Sequence, residues 1–323
     1  MPVEPLLSVV IVSWNVAALL ERALASVYRA WNKEEGSLQV IVVDNGSRDG
    51  TQAMLREHFP DTRLIANAGN RGFTAANNQG LAEATGRFVL LLNPDTEVLG
   101  DALHSLITCL EGDPGIGVVG PRLLNPDGSE QSSRRRFPSL GLLFFESTWL
   151  QRLAPRAALR RFYVEDQLPT EAQDVDWVTG AAMLVRRELI EQIGGLDEQF
   201  FMYSEELDWC RRIRAAGWRV RYWPQAAIIH HEGKSSEQVV APRHIYFQSS
   251  KVLYAAKYHG RAAAGALRLW LLSQYVWQAA IEGLKWLVGH RRALRAERLR
   301  AYRAVLRSGL RQRGPLEAPP EGR

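Results

Sequence analysis

Two short stretches bring together residue types that could do chemistry. The first is Asn93-Pro94-Asp95, which ends the apolar run Phe88-Val89-Leu90-Leu91-Leu92. A carboxylate beside a side-chain amide, delivered at the end of a buried strand, can hold a divalent cation against a diphosphate. An aspartate that merely caps a turn has the same appearance. The second stretch is Glu205-Glu206-Leu207-Asp208, preceded by Ser204. Ser204 is expected as an N-cap that accepts from first-turn N–H groups. The three acids then crowd a helix start, where the dipole favours ionised carboxylates. One of them could act as a general base, although tuning of helix-end charge produces the same pattern. His230-His231 follows a further apolar run and offers imidazole as another metal ligand.

These residues need a scaffold that brings them together. Leu7 to Val12 is an uncharged, β-branched run ending in Ser13-Trp14-Asn15. Val40 to Val43 ends in Asp44-Asn45-Gly46-Ser47, and the run from Phe88 stops at Pro94, which cannot donate to a strand ladder. Helical spacing fills the intervals, from Val16 to Tyr28, Thr51 to His58 and Thr74 to Ala84, with a short strand at Arg63 to Ala66. This alternation predicts an α/β fold with a mainly parallel, doubly wound sheet and flanking helices. Right-handed crossovers carry the strand ends to one edge, so Ser13, Asn15, Asp44, Asn93 and Asp95 should share a crevice. Asp44 suits the N–H edge of a pyrimidine base, because a carboxylate only accepts. Arg71, in the turn-rich loop Asn67 to Phe73, is either a fork donor to phosphate or a solvated cation. The glycines form neither G-x-G-x-x-G nor G-x-x-x-x-G-K-S/T, which argues against a dinucleotide fold and a P-loop enzyme.

The second half is less regular. Asp101 to Leu110 reads as a helix and Ile116 to Gly120 as a strand. Arg134-Arg135-Arg136 reads first as a solvated basic face and second as a contact for an anionic acceptor. Residues 137–170 read as a loop with helical pieces. Val175 to Val185 reads as one strand, where Gly180 and Ala181 would let a substrate approach the backbone. Trp177 is a candidate sugar platform, a buried core being the commoner fate of tryptophan. A helix from Ser204 to about Ala216 should stop at Gly217. Arg219 to Trp223 and Ala226 to Ile229 read as two strands.

Composition narrows the class. An apolar fraction of 46% and a charged fraction of 23% over 323 residues fit a soluble protein with a full core. Cys109 and Cys210 stand in unrelated contexts, so a reducing cytoplasm and no disulfide framework are expected. Met1-Pro2-Val3-Glu4-Pro5 lacks the basic start of a signal peptide, and no run approaches the roughly 18 apolar residues of a spanning helix. Positive charge is local, with nine Arg against Glu297 alone between Arg291 and Arg313; no nucleic-acid partner is expected, and oligomerisation stays open. Trp270, Trp277, Ile281, Leu284 and Val288 recur at helical spacing, with Gln278, Glu282 and Lys285 off the stripe. That helix packs either on protein or on a membrane interface, its Arg-rich continuation facing anionic lipid. Residues 314–323, rich in Pro and Glu, are expected to be disordered.

Taken together, Ser8 to Asn15, Val43 to Thr51, Asn67 to Gly80, Asn93-Pro94-Asp95 and Tyr203 to Arg212 resemble the family 2 glycosyltransferases. The likeness covers about residues 6–260 and is greatest to the bacterial rhamnosyltransferase-like subgroup. It implies a GT-A fold, a dTDP- or UDP-sugar donor, Mg²⁺ or Mn²⁺, and inversion at the anomeric carbon. By the same resemblance Ser13, Asn15 and Asp44 meet the base and ribose. Asn93 and Asp95 stand where the family has D-x-D, with Asp95 as metal ligand and Asn93 departing from the usual first Asp. Glu205-Glu206-x-Asp208 stands where the family has E-D-x-D, which places the base on Glu206 with Glu205 as competitor. His230, followed by His231 and Gly233, matches a late His near the metal. A catalytic domain is expected over 1–243, its nucleotide half about 1–120 and its acceptor half about 121–243, with a basic helical region over 244–313. The implied activity moves a sugar, L-rhamnose by resemblance, to a lipid-linked or polysaccharide acceptor at the cytoplasmic face of the inner membrane. A weakened sugar-nucleotide-binding scaffold is the alternative, on the strength of Asn93 and Glu206. A sugar nucleotidyltransferase would want a G-x-G-T-R-like loop after the first strand, and Ser13-Trp14-Asn15 is not one.

Overall fold

The computed structural model describes residues 4–32, 36–231, 240–311 and 314. Strand and helix alternate at first as β1 (Leu7–Ser13), α1 (Ala17–Ala30), β2 (Leu38–Asp44), α2 (Thr51–His58), β3 (Arg63–Ala66), α3 (Phe73–Glu83) and β4 (Phe88–Leu92). These strands lie in the order β3-β2-β1-β4, parallel throughout. β1 is buried along its whole length, and that is why it reads as an unbroken apolar run. Its side chains still alternate, but between two buried faces. Leu7, Val9 and Ile11 join Leu20, Leu24 and Val27 of α1 on one face. Val10 and Val12 join Ala76 and Leu81 of α3 on the other. Gly80 allows α3 to lie directly on β1, since a Cβ there would run into Val10.

The chain continues through β5 (Thr96–Val98), α4 (Ala102–Gly112), β6 (Ile116–Leu124), β7 (Glu130–Gln131), β8 (Arg134–Arg135), α5 (Leu140–Phe145) and α6 (Arg156–Phe162). Then come β9 (Gln173–Val175), β10 (Trp177–Val178), β11 (Ala182–Arg186), α7 (Arg187–Ile193), α8 (Glu205–Ala215), β12 (Arg219–His230), α9 (Val240–Leu287) and α10 (Arg292–Ser308). The main sheet extends as β4-β11-β6-β12-β5. Here the parallel pattern gives way, for β11 runs antiparallel to β4 and β6, and β5 antiparallel to β12. The fold is α/β, with a large central sheet and flanking helices, parallel in its first half and mixed in its second.

Two strand boundaries differ from the sequence pattern. The strand expected from Val175 to Val185 is three pieces, β9, β10 and β11, because Asp176 and then Thr179-Gly180-Ala181 interrupt it. The two strands expected around Trp223 and Ala226 form one, β12, whose register against β6 shifts between Trp223 and Ala227. Pro224 lies in that shift and has no N–H to give a ladder. The expected loop with helical pieces holds α5, a 3-10 turn at Gln151–Leu153 and α6. Cys109 and Cys210 are free and buried.

The chain divides into two compact units, Met1–Phe137 with Arg160–Glu198 and Glu205–Ser235, and Pro138–Leu159 with Gln199–Ser204 and Ser236–Arg323. The first holds the main sheet. In the second, α9 breaks at Gly260 (φ 88°, ψ 163°), a backbone that suits glycine. α10 lies along α9, with Arg295 bonded to the buried Glu282 at 2.7 Å and Tyr302 against Tyr275 at 5.7 Å between ring centroids. The expected apolar stripe needs correction. Trp270 turns inward and donates to the Phe144 carbonyl at 2.8 Å, while Leu269 and Val276 join Trp277, Leu284 and Val288 among the exposed residues. Among the described residues no helix is long and apolar enough to cross a membrane. Gly233 and, apart from Gly314, the expected disordered tail lie outside the described residues.

Candidate active site

The carboxyl ends of β1 and β2 form one wall of the crevice. Ser13 and Asp44 are paired in register and both are buried. The Asp44 carboxylate accepts from the Ser47 N–H at 3.1 Å and from Gln52 Nε2 at 2.7 Å. The Ser13 hydroxyl is buried without a hydrogen-bond partner. Asn15 is left-handed (φ 53°), and this bend ties the β1 end to the β2 end. Its N–H donates to Ser47 Oγ at 2.9 Å, and its Oδ1 accepts from the Arg48 N–H at 2.8 Å.

The loop that carries Arg71 is held by a network the sequence reading missed. Asn45 donates to Asn70 Oδ1 and the Gly72 carbonyl, both at 3.1 Å, and accepts from the Arg71 N–H at 3.1 Å. Asn67 and Gln79 exchange amide hydrogen bonds at 2.8 and 3.0 Å. The backbone of Arg71 is therefore fixed while its side chain is exposed. The Asn-rich composition of this loop was a signal for such a network. Gly46 packs on Gly69 so closely that a Cβ would stand 2.7 Å from Gly69 Cα.

Asn93 and Asp95 follow β4 as expected. The Asn93 N–H donates to the Ala181 carbonyl at 2.9 Å. Asp95 is buried, and its Oδ1, like the Asn93 Oδ1, has no hydrogen-bond partner. β12 ends against β5 with His230 opposite Thr96, which brings His230 Nε2 to 3.5 Å from Asp95 Oδ1. The other ring nitrogen, Nδ1, is 3.0 Å from Gln131 Oε1, a partner no sequence pattern announced. His231 points elsewhere, to Glu97 at 2.7 Å, although its N–H reaches the Asp95 carbonyl at 2.8 Å. Among the described residues no cluster of three His, Cys, Asp or Glu forms a complete metal cage. A carboxylate, an amide oxygen and an imidazole with two orphaned oxygens between them nevertheless fit a cation that takes its remaining ligands from phosphate and water.

The acidic stretch opens α8. Ser204 is not an extended N-cap; it is left-handed (φ 64°), as is Tyr203 (φ 70°). Glu205 is buried, and burial together with the Glu206 charge raises its carboxyl well above the ordinary range. Burial raises Glu206 as well, but hydrogen bonds from its own N–H, Gly180 and Leu207, and the positive Arg135, pull the other way. Both carboxyls are thus raised, Glu205 with its neighbour's charge adding to burial and Glu206 with donors and Arg135 opposing it. Asp208 is fully buried and bonded to Arg212 Nε at 3.0 Å. Arg212 also donates to the carbonyls of Ile193 and Gly195, at 3.1 and 2.6 Å, so this pair anchors α8 to the end of α7.

Gly180 and Ala181 join the two acidic centres, the first bonded to Glu206 and the second to Asn93. Trp177 is half-buried, its Nε1 bonded to the Arg136 carbonyl at 3.1 Å. The three arginines are not a solvated face. β8 pairs with β10, which draws their side chains into the fold. Arg134 is buried, donating to the carbonyls of Leu168 and Gln167, each at 3.1 Å. Arg136 bonds the Asp174 carbonyl at 3.0 Å. Arg135 lies 4.7 Å from the Tyr163 ring centroid and 5.9 Å from that of Phe162, and its charge acts on Glu206.

The chain is similar to known proteins in sequence and in fold. The family model described as Glycosyl transferase family 2 matches residues 8–194. The chain is 31% identical over 264 residues to the N-acetylglucosaminyl-diphospho-decaprenol L-rhamnosyltransferase of Mycobacterium tuberculosis, covering 78% of this chain and 85% of that protein. It is 28% identical over 221 residues to rhamnosyltransferase WbbL of Escherichia coli, covering 62% and 75%. Among solved structures, the mannosyltransferase PcManGT of Pyrobaculum calidifontis, in complex with GDP-Man and Mn²⁺, is similar with a TM-score of 0.54. The match covers 96% of this chain and 86% of that one at 20% identity, a likeness of fold.

Proposed function

Because the chain belongs to glycosyl transferase family 2, we propose that it transfers a sugar, with inversion, from a nucleotide-diphosphate donor to a hydroxyl of a lipid-linked or polysaccharide acceptor. The observation that carries this reading is the Gly180-Ala181 link, which bonds to Glu206 on one side and to the Asn93–Asp95 turn on the other. Ser13, Asn15 and Asp44 hold the base and ribose, and Arg71 reaches the phosphates. Asp95, with Asn93 and His230, would hold Mg²⁺ or Mn²⁺, which supplies counter-charge to the diphosphate leaving group.

Glu206 is the base. It accepts the proton of the acceptor hydroxyl as that oxygen bonds the anomeric carbon and the carbon–oxygen bond to the diphosphate breaks. Arg135 and the Gly180 N–H favour its ionised form in a dry site. Glu205, protonated, spares the site a second negative charge. Trp177, Gly180 and Ala181 line the acceptor side, and Asp208 positions α8. The names of the relatives support an L-rhamnosyl group and a polyprenyl-diphosphate-linked acceptor; work at the cytoplasmic face of a membrane in cell-surface glycan synthesis is part of the same proposal. The test is incubation of the purified chain with Mg²⁺ or Mn²⁺, dTDP-L-rhamnose or UDP-sugars, and an N-acetylglucosaminyl-diphosphopolyprenol. Glycosylated lipid with inverted anomeric configuration is expected. Absence of transfer and of nucleotide-diphosphate release from every donor, with either cation, would reject the proposal.

A further inference from the structure

The second unit carries a surface that a helix packed only on protein would not have. The buried face of α9 beyond its break is built from Leu267, Leu271, Tyr275 and Glu282. The opposite face is apolar too, and it faces outward. Leu269 is 70% exposed, Leu284 64%, Leu287 65% and Val288 80%, with Val276 and Trp277 also more than half exposed. The spacing of 269, 276, 284 and 287 puts them on one stripe. An amphipathic helix normally turns polar residues outward, and a continuous exposed apolar stripe marks an interaction site.

Charge selects the occupant. The stripe runs to the tip of the α9–α10 hairpin, where Trp286 is joined by Lys285, Arg291 and Arg292, all exposed. The Arg292 guanidinium lies 5.5 Å from the Trp286 ring centroid. Beyond the tip, Arg300, Arg303 and Arg307 are exposed along α10. From Arg291 to Arg311 there are eight Arg against one Glu. A second copy docked on the stripe would bring two such segments together, and like charges oppose that. An anionic bilayer surface complements it, taking the apolar side chains below its headgroups and the arginines among them. Tryptophan at such a boundary keeps its ring in the apolar layer and its N–H in the wet one.

We propose that the α9–α10 hairpin is a lipid-docking element, which inserts its tip and the Leu269–Val288 stripe into the headgroup layer of a membrane rich in anionic lipid. It rests on the lipid-linked acceptor proposed above for its purpose, and on the helical unit alone for its grounds. The test is sedimentation of the full chain with phosphatidylcholine vesicles with and without phosphatidylglycerol. Wild type should partition onto the anionic vesicles and come off at high salt. Leu287→Asp/Val288→Asp and Arg300→Glu/Arg303→Glu should each lower partitioning about tenfold or more. Each variant should keep its thermal midpoint and its nucleotide-diphosphate release from donor with a water-soluble acceptor, since all four positions are exposed. Failure of wild type to bind anionic vesicles, or binding by both variants equal to that of wild type, would overturn the inference. A wild-type dimer in the ultracentrifuge that Leu287→Asp/Val288→Asp makes monomeric would assign the stripe to a second copy instead. Vesicle binding without sugar transfer would sink the transferase reading and leave this one standing.

Discussion

Glu206→Gln separates proton acceptance from everything else Glu206 does. Glutamine keeps the length of the side chain and an oxygen that can accept from the Gly180 N–H, but it cannot take a proton. General-base assistance is typically worth about 10²–10⁴-fold. The neighbouring acid is a poor substitute here, because burial alone favours the protonated form of Glu205. The loss should therefore reach about a thousandfold in kcat, or about 4 kcal/mol in barrier height at 1.4 kcal/mol per decade. Donor affinity should be unchanged, since Glu206 is assigned to the acceptor side. Glu205→Gln should cost less than about tenfold, because it replaces a carboxyl already neutral. The assay is initial-rate release of nucleotide diphosphate alongside product formation, with donor binding followed by thermal shift. In wild type the acid limb of kcat should lie above the ordinary glutamate range, since burial raises Glu206. The reasoning is refuted if Glu206→Gln retains more than about a tenth of wild-type kcat, or if Glu205→Gln loses as much.

Other outcomes follow from the same geometry. Asp95→Asn should abolish the Mn²⁺-dependent rise in thermal midpoint, and Gln131→Leu, which frees the far side of the His230 ring, should weaken cation affinity about tenfold; an unchanged Mn²⁺ titration in Asp95→Asn would refute the site. Asp208→Ala leaves Arg212, 25% exposed, without its buried partner, and should cost about 3 kcal/mol by denaturant unfolding. Its kcat per folded molecule should stay near wild type; lost turnover at unchanged stability would make Asp208 catalytic instead. The raised carboxyl of Glu205 favours folding below the ordinary glutamate range, and that contribution is lost as pH rises through its folded-state value. Wild type should thus lose thermal midpoint as pH rises above the ordinary glutamate range, relative to Glu205→Gln, and parallel midpoint-versus-pH curves would contradict this.

The sequence by itself determined the parallel half of the sheet and the family. β1, β2 and β4 are buried on both faces, so their apolar runs are continuous, and a polar residue at each end is conspicuous. Ser13, Asp44 and Asn93 were legible for that reason, as was the acidic opening of α8. What tertiary structure decided were pairings between segments far apart in the chain, which no local pattern encodes. It turned His230 rather than His231 toward Asp95, because β12 ends in register with β5. It drew the arginines of β8 into the fold, because β8 pairs with β10 some forty residues later. It divided the two glutamates by environment, one helix turn being able to present neighbouring side chains to different surroundings. It also turned the apolar stripe of α9 outward, since helical spacing marks a face but not which side of it the rest of the chain will cover.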